Sequence, residues 1–538
     1  MLLERVTRTV REAVGELGGD PESVVIERPR QEGHGDYATN IALRMGSIQF
    51  AEKLARHLER IPGYHAETTG GFVNITIASS LWYEEMGRIL KEESSYAAPD
   101  THKGQRASVE FISANPTGPL HVGNARGGPL GDVIAALLKK TGYTVVREYL
   151  HNDAGAQIEK FRDSLWHWYL LENDKASELG EDHYHGVYVQ ELARNAAQRW
   201  GGSLIEQSEG KETLLAFALD ELRKENFETI ANMGITFDVV TVESELLQSS
   251  KTAHALDELQ KKGIIQEKEG ALWYVPRDAF LKDRETVVVK GDGTYLYFAN
   301  DIAYHLEKFR KNDLVVDVLG EGHAGHIPKL RSIAHAFEFP QEQFRIVIHG
   351  QVHIEEEGRH ITMSKRRGTF ITAREVLDEV GKDAFRFFLL QYSPRAVMTF
   401  DLDLAKKRSQ DNPVYYVQYS YARSHQIFEK AGEMHASKAD LALLTDAAEL
   451  SLIKKLVEWP EIIERITGGY EKSGTYEVHQ LTTYSEELAR SFHRFYETCY
   501  VLVDDAKLRN ARLALVKGYQ IILKDVLDVL GISAPEHM

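Results

Sequence analysis

One segment combines a strand pattern, a turn and a helix start: VEFISANPTGPLHVGNARGGPLGD, at 109–132. A helix that begins near His121 would place His121 and Asn124 three residues apart on its first turn. A helix N-terminus offers unpaired N–H groups and a partial positive charge, which suit a phosphate, and Gly123 leaves room for a flat ring to approach the backbone. The segment therefore indicates a nucleotide site. The alternative is a histidine whose hydrogen bond is satisfied at the helix start.

A second candidate lies in a basic segment, HITMSKRRGTF, at 360–370. In a loop, Lys365 could stabilise the negative charge that develops on pyrophosphate as it leaves an attacked α-phosphate. The alternative is a basic turn that only faces water, as most charge runs do. The position of this segment after a helix-start histidine, with a predicted sheet between them, favours ATP chemistry.

The two segments and the secondary structure predicted around them resemble those of a known family. TVVREYL, at 144–150, adds a strand after the first helix, which gives a βαβ unit. This unit resembles the nucleotide-binding core of class I aminoacyl-tRNA synthetases; ANPTGPLHVGN is similar to the signature of the arginyl member, and HITMSKRRGTF resembles the KMSKS loop. Two positions depart from the family: Asn124 replaces the last histidine of the signature, and Thr362 replaces the first lysine of the loop. The resemblance implies catalytic roles for His121, Asn124 and Lys365, and ATP contacts from these three together with Gly123, Met363 and Ser364.

The same family resemblance implies an arginine pocket. A guanidinium has five N–H donors and no acceptor, so it requires carboxylates around it. Tyr297 and Asp301 lie four residues apart, on one face of a helix, and Glu243 precedes a serine in FDVVTVES. Singly, these residues could be a core aromatic, a helix N-cap and a surface charge. The family pattern also implies arginine contacts from Ser113, Asn115 and His323.

Three regions are candidates for contact with tRNA. NPVYYVQYSYARSHQ, at 412–426, places Tyr416 and Tyr419 on one helical face, where aromatic rings can stack on unpaired bases, although such a stripe is more often core. HGDYATN resembles the family's additional N-terminal domain, in which Asn40 would contact the tRNA elbow; the alternative is a helix start capped by Asp36. The C-terminal GISAPEHM is also similar to the family and adds Met538.

The predicted fold class is α/β, with three domains in sequence. The pattern predicts an α/β module at 1–97, a Rossmann-type parallel-sheet domain at 98–405 and an all-α bundle at 406–538. The resemblance implies that the first binds tRNA, the second is catalytic and the third binds the anticodon. A charged helical insertion near 157–230 interrupts the catalytic domain. Its sheet is predicted from strand-like segments at 107–113, 144–150, 313–320 and 344–350.

Composition limits the other classes of protein. The 538 residues carry a formal charge of −17, which by itself argues mildly against nucleic acid, so RNA would bind in local patches. Cys499 is the only cysteine and can form no internal disulfide, and H-x-x-H at 323–326 lacks a third zinc ligand, so we predict no protein-bound metal. No apolar run reaches the ~18 residues of a membrane span. We expect a cytoplasmic monomer.

The resemblance to the bacterial type of arginyl-tRNA synthetase implies a two-step reaction. Arginine and ATP, bound with Mg²⁺, give arginyl-adenylate and pyrophosphate, and the 3′ end of arginine tRNA then takes the arginyl group; the family needs bound tRNA for the first step. Three alternatives remain. A related nucleotidyltransferase would need no Tyr-rich bundle, a non-catalytic RNA-binding paralogue would lose Lys365, and a synthetase for another amino acid would lack the paired acids.

Overall fold

The computed structural model describes residues 1–29, 31, 33–282, 284–361, 371–431 and 439–538. Met363, Ser364 and Lys365, which the sequence assigns to the ATP loop, lie outside the described residues. In the part of the chain that is described, every helix is too short or too polar to cross a membrane.

The N-terminal module packs helices on a small antiparallel sheet of strand order β1-β3-β2. Asp36 begins no helix; it precedes β1, and its Oδ2 accepts a hydrogen bond from the Ile77 amide at 2.8 Å, so the alternative of a helix cap at this position is wrong. The elements are α1 (Leu2–Glu16), β1 (Tyr37–Thr39), α2 (Ile41–Arg44), α3 (Ile48–Leu58), β2 (Tyr64–Thr69), β3 (Phe72–Ile77) and α4 (Ser79–Glu92).

The predicted catalytic region begins with a strand, two helices separated by one residue, and a second strand parallel to the first. These are β4 (Arg106–Glu110), α5 (Val122–Ala125), α6 (Gly127–Lys140) and β5 (Thr144–His151). The predicted βαβ unit is therefore present. The predicted helical insertion follows, as α7 (Ala156–Glu172), α8 (Val187–Trp200) and α9 (Gly210–Asn232). The helices of this insertion share their own apolar core, which includes Phe161, Leu192 and Leu222.

After the insertion, the chain returns to the sheet through a second excursion that the sequence did not predict. It begins after β6 (Val239–Val242), the edge strand of the central sheet, and consists of α10 (Glu243–Gln248), α11 (Ser250–Lys261), β7 (Ile265–Lys268), β8 (Ala271–Tyr274) and β9 (Thr286–Val289). The sheet then continues with α12 (Tyr297–Lys311), β10 (Leu314–Gly320), α13 (Ile327–Ala336) and β11 (Phe344–His349). Strands β7, β8 and β9 form a separate antiparallel sheet.

The central sheet is parallel throughout, in the order β11-β10-β4-β5-β6. The chain leaves β4 for β5 on one side and enters β10 and β11 on the other, so the strand order reverses at β4. Open α/β sheets bind ligands at the carboxyl ends of their strands beside such a reversal. The predicted Rossmann-type sheet is therefore confirmed, and the turn after β4 lies where a nucleotide is expected.

The last part of the catalytic region and the C-terminal bundle follow. A small sheet of order β13-β12-β14 follows the main sheet in the chain, and its strands are not among the strand-like segments that the sequence indicated. The elements are β12 (Val352–Glu356), β13 (Arg359–Ile361), α14 (Ala373–Leu390), β14 (Met398–Asp401), α15 (Leu402–Lys406), α16 (Pro413–Ala431), α17 (Ala447–Val457), α18 (Trp459–Gly468), α19 (Tyr470–Ser473), α20 (His479–Thr498) and α21 (Ala506–Leu530).

Candidate active site

His121 caps the N-terminus of α5 with its own imidazole. Its Nδ1 accepts a hydrogen bond from the Asn124 amide at 3.1 Å, which is the satisfied capping contact considered as an alternative above. Because Nδ1 accepts, the proton of the neutral ring lies on Nε2. A Cβ at Gly123 would lie 3.1 Å from the His121 ring, so the glycine gives the imidazole space to adopt this position. Capping thus orients the ring and does not exclude a role toward a ligand.

The backbone before α5 is joined to the segment that follows the basic loop. His121 forms a β bridge with Thr372, and the Ala373 amide donates to the Leu120 carbonyl at 2.7 Å. Thr372 is the second residue after 362–370, and its side chain and that of Glu375 form a capping box at the start of α14. The described chain that follows the basic segment therefore begins in backbone contact with His121.

Glu243 lies buried at the start of α10, only 5% exposed. Its Oε1 accepts from Asn300 Nδ2 at 2.9 Å, whereas Glu243 Oε2 and Asn300 Oδ1 are both buried and have no hydrogen-bond partner among the described residues. Burial, together with the charges of Asp301 and Asp153, raises the pKa of Glu243 to about 7. The alternative of an ordinary surface charge at this position is wrong.

Tyr297 and Asp301 lie one turn apart at the start of α12. Tyr297 is 49% exposed, so it is not a core aromatic, and Asp301 lies within the helix, so it is not an N-cap. Burial raises the pKa of the Asp301 carboxyl above its usual range. The Tyr297 hydroxyl accepts a hydrogen bond from the Ala156 amide, and no side chain would fit at Gly155, which has a φ of +100° against the Tyr297 ring.

Ser113 and Asn115 lie in the turn after β4, where their polar groups are engaged by neighbours. Ser113 Oγ donates to Glu110 at 2.8 Å and accepts from the Leu150 amide at 3.1 Å. Asn115 donates to Gln157 at 2.8 Å and accepts from Asn152 at 3.3 Å. The hydrogen bonds of Asn115 connect this turn to the segment that carries Gly155, beside Tyr297.

A buried ion cluster is centred on Lys308, which lies on the same helix as Tyr297 and Asp301. Its ammonium, 2% exposed, contacts Glu110 at 2.8 Å and also the carboxylate of Asp317. His305 Nε2 lies 3.0 Å from the second oxygen of Asp317, and His305 Nδ1 lies 2.8 Å from the Asp301 carbonyl oxygen. The cluster therefore joins strand β10 and helix α12 to Glu110, the residue that holds Ser113.

His323 lies in the short 3₁₀ helix Glu321–His326 that follows β10, and it is exposed. Its electrostatic partners include Glu110, Asp301 and His326, which place it at the same strand ends as the acids. The His323 and His326 rings lie 6.2 Å apart. Among the described residues, no group of three or more His, Cys, Asp or Glu side chains is arranged to hold a metal ion.

The C-terminal candidates lie on α16. Tyr416 and Tyr419 are both half-buried, and their rings lie 5.1 and 6.2 Å from that of His493 on α20. Arg423 donates to the Tyr419 hydroxyl at 3.0 Å. In the N-terminal module, Asn40 precedes α2 and its buried Oδ1 has no partner among the described residues, while Met538 is 49% exposed.

Three family models match the chain in order. They are the arginyl tRNA synthetase N terminal domain over 3–77, the catalytic domain of tRNA synthetases class I (R) over 85–401, and the DALR anticodon binding domain over 417–538. The second of these alone covers more than half of the chain. The chain belongs to the arginyl-tRNA synthetase family.

Relatives in this family are similar over nearly their whole length. The arginine–tRNA ligase of Moorella thermoacetica is 39% identical, with 98% of this chain and 96% of the relative covered, and that of Acetivibrio thermocellus is 40% identical, with 96% and 94% covered. The arginyl-tRNA synthetase of Thermus thermophilus has the same fold, with a TM-score of 0.78, 22% identity and complete coverage of both chains.

Several residues of the candidate site could not be identified from the sequence. Asn300 lies next to a predicted residue, and its amide became visible only as the partner of Glu243. Asp153 binds Ser244 through both carboxylate oxygens, at 2.8 and 2.6 Å, and so holds the start of α10. Gly155 is the last residue of the NDAG segment that precedes the insertion. A glycine at this position was the one hint in the sequence that the backbone passes close to another group.

Proposed function

We infer that this chain is an arginine–tRNA ligase. In the first step, an oxygen of the arginine carboxylate attacks the α-phosphorus of ATP, and the bond from the α-phosphorus to the pyrophosphate oxygen breaks. In the second step, a hydroxyl of the terminal ribose of arginine tRNA attacks the arginyl carbonyl, and AMP leaves. Family membership and the full-length similarity to curated arginine–tRNA ligases support this activity.

The observation that carries the proposal is a set of buried acceptor oxygens without matching donors among the described residues. Glu243 Oε2 and Asn300 Oδ1 lack partners among the described residues, and the Asp301 carboxyl interacts electrostatically with Glu243. Buried acceptors without donors are costly, by roughly 1–3 kcal/mol each. A guanidinium supplies five N–H donors and a positive charge, so it is the side-chain group that fits this set. A synthetase for an apolar amino acid would have no use for these acids.

The proposed catalytic groups act by position and charge. The Nε2–H of His121 and the side-chain amide of Asn124, at the start of α5, would donate hydrogen bonds to ATP phosphate oxygens. Gly123 lies between these two residues. Lys365 would stabilise the departing pyrophosphate, and Met363 and Ser364 would contact the nucleotide beside it. Mg²⁺ would arrive as the ATP complex. No protein nucleophile is needed.

The remaining assignments concern the ends of arginine and the tRNA. Ser113 and Asn115 would lie near the α-amino and carboxylate groups of arginine, and His323 near the reacting end. On the tRNA, Tyr416 and Tyr419 would stack on anticodon bases. Asn40 would contact the elbow, and Met538 completes the proposed tRNA contacts. We further propose that the enzyme acts as a cytoplasmic monomer.

The test is exchange of labelled pyrophosphate into ATP, measured with arginine and arginine tRNA added separately and together. We expect exchange only when both are present. Exchange without any amino acid would indicate another nucleotidyltransferase, and the absence of exchange together with tight tRNA binding would indicate a non-catalytic RNA-binding protein. Either result would contradict the proposed function.

A further inference from the structure

A buried side-chain amide of the helical insertion bonds the backbone of the turn that leads to His121. Asn226, on α9, is 3% exposed and lies more than 100 residues from this turn in the chain. Its Nδ2 donates to the Gly118 carbonyl at 3.2 Å, and its Oδ1 accepts from the Leu120 amide at 2.8 Å. We propose that Asn226 is a positioning residue for adenylate formation, which sets His121 by holding the backbone of residues 118–120.

The backbone chemistry of this turn explains why it needs an outside partner. Pro119 has no N–H to donate, so the backbone groups that flank it, the Gly118 carbonyl and the Leu120 amide, need partners from outside the turn. A carboxamide presents one acceptor and two donors in a plane, which matches these two groups as a neighbouring strand would. Asn226 therefore replaces a missing β partner, and it does so one residue before His121.

Other contacts restrain the turn from both sides. From the insertion, the Tyr188 hydroxyl donates to the Thr117 carbonyl at 2.7 Å, and the Tyr188 ring lies 3.1 Å from the position that a Cβ on Gly118 would occupy. From the opposite side, the Leu120 carbonyl accepts from the Ala373 amide at 2.7 Å. Leu120 thus has its N–H held by α9 and its carbonyl held by the segment after the basic loop. A displacement of α9 or of the segment that contains Ala373 would therefore move His121.

This inference rests on the proposed function, because it concerns the ATP-dependent step of that reaction. Replacement of Asn226 by alanine leaves the two backbone groups without their partner and loosens the turn. A misplacement of about 1 Å in a catalytic site can lower the rate by up to ~100-fold. We expect kcat/KM for ATP to fall between ~10-fold and ~100-fold, whereas the Kd of arginine, whose pocket is built by α10 and α12, changes less than twofold.

The test uses pyrophosphate exchange with saturating arginine tRNA, for the wild-type enzyme, Asn226→Ala, His121→Ala and the double variant. Thr229→Ala is the matched control: Thr229 lies one turn further along α9, is equally buried, and bonds only within its own helix, to the Glu225 carbonyl. If Asn226 acts through His121, its replacement costs far less in the His121→Ala background than in the wild type. If replacement of Asn226 lowers kcat/KM for ATP by the same factor in both backgrounds, the proposal is overturned.

Two further outcomes separate the possible failures. If the wild type shows no arginine-dependent exchange, the proposed function fails. If the wild type is active and Asn226→Ala matches Thr229→Ala in kcat/KM for ATP, the positioning role fails. Should Asn226→Ala unfold, Tyr188→Phe removes only the hydroxyl that bonds Thr117 and should lower kcat/KM for ATP ~3-fold to ~10-fold, as expected for one hydrogen bond. An unchanged value for Tyr188→Phe would then overturn the proposal.

Discussion

At the residue scale, we predict that Glu243 makes arginine binding dependent on pH. Its pKa of about 7 in the free enzyme arises from burial and from the charges of Asp301 and Asp153. A bound guanidinium favours the carboxylate and lowers this pKa, so arginine binding releases a proton. Binding is therefore strongest above pH 7 and weakens as the pH falls through 7. We predict that the Kd of arginine rises about tenfold between pH 8 and pH 6, as one titrating group requires.

Isothermal titration calorimetry in two buffers with different ionisation enthalpies measures the proton release directly. Glu243→Gln removes the titrating group while keeping the shape of the side chain. In that variant arginine binds more weakly at pH 8, and the dependence of its Kd on pH between 6 and 8 should largely disappear. A wild-type Kd that stays constant over this range would contradict the assignment of Glu243 to the pocket.

Asp301 provides a second test at the same scale. Asp301→Asn keeps the size of the side chain and removes one negative charge from the proposed guanidinium site. A charge-assisted hydrogen bond contributes ~1.5–3 kcal/mol, so we predict that the KM of arginine in pyrophosphate exchange rises at least ~10-fold. Glu307→Gln on the same helix, whose carboxylate pairs with Lys311 at 3.0 Å, is the control and should change the KM by less than twofold. Equal KM values for the two variants would remove Asp301 from the pocket.

At the scale of elements, helix α12 carries both the pocket and the buried charge that anchors it. Lys308→Met would leave Glu110 and Asp317 buried without their cation. Removal of one partner of a buried ion pair costs ~3–5 kcal/mol, so we predict that the free energy of unfolding falls by about this amount. Urea unfolding at pH 7.5 measures it.

The matched control for this helix is Lys311→Met. Its ammonium is 63% exposed and pairs with Glu307 on the helix surface, so its replacement should cost less than ~0.5 kcal/mol. If both lysine variants lose the same stability, the buried cluster does not hold α12 in place.

The elements of the site differ in how far the sequence could predict them. The four-residue spacing of Tyr297 and Asp301 sufficed to place them together, because a helical period is a local property. The strands of the central sheet were visible as apolar runs. In contrast, β7, β8 and β9 have four residues each, and strands of this length are too short for a periodic signal. Asn226 is invisible in sequence because its partners lie more than 100 residues away.

At the scale of the whole molecule, the N-terminal module is bonded to the C-terminal bundle. Arg28 donates twice to Glu461, at 2.6 and 2.8 Å, and the Tyr37 hydroxyl donates to the same carboxylate at 2.8 Å. Glu461 and Arg28 lie 433 residues apart, so no local pattern predicts the contact. The sequence order indicated separate modules, and only the folded chain shows that the first and last are joined.

This contact leads to a prediction about stability. Glu461→Gln keeps the shape but removes the charge that faces a mostly buried guanidinium. Charge-assisted hydrogen bonds contribute ~1.5–3 kcal/mol, so we predict a loss of about 2 kcal/mol in the free energy of unfolding. Glu84→Gln, which breaks an exposed pair with Arg5 at 3.0 Å, should cost less than ~0.5 kcal/mol. Similar thermal unfolding midpoints for both variants would show that the interface contributes little.

The central claim is that a buried, acceptor-rich pocket selects a guanidinium. Citrulline has nearly the same shape as arginine but carries a neutral urea group, in which a carbonyl oxygen replaces one NH2 group and its two N–H donors. The most direct measurement is therefore pyrophosphate exchange by the wild-type enzyme with arginine tRNA, comparing kcat/KM for arginine and for citrulline. We predict a preference for arginine of at least ~100-fold, since the charge and two N–H donors are lost. Comparable values for the two substrates would contradict the claim.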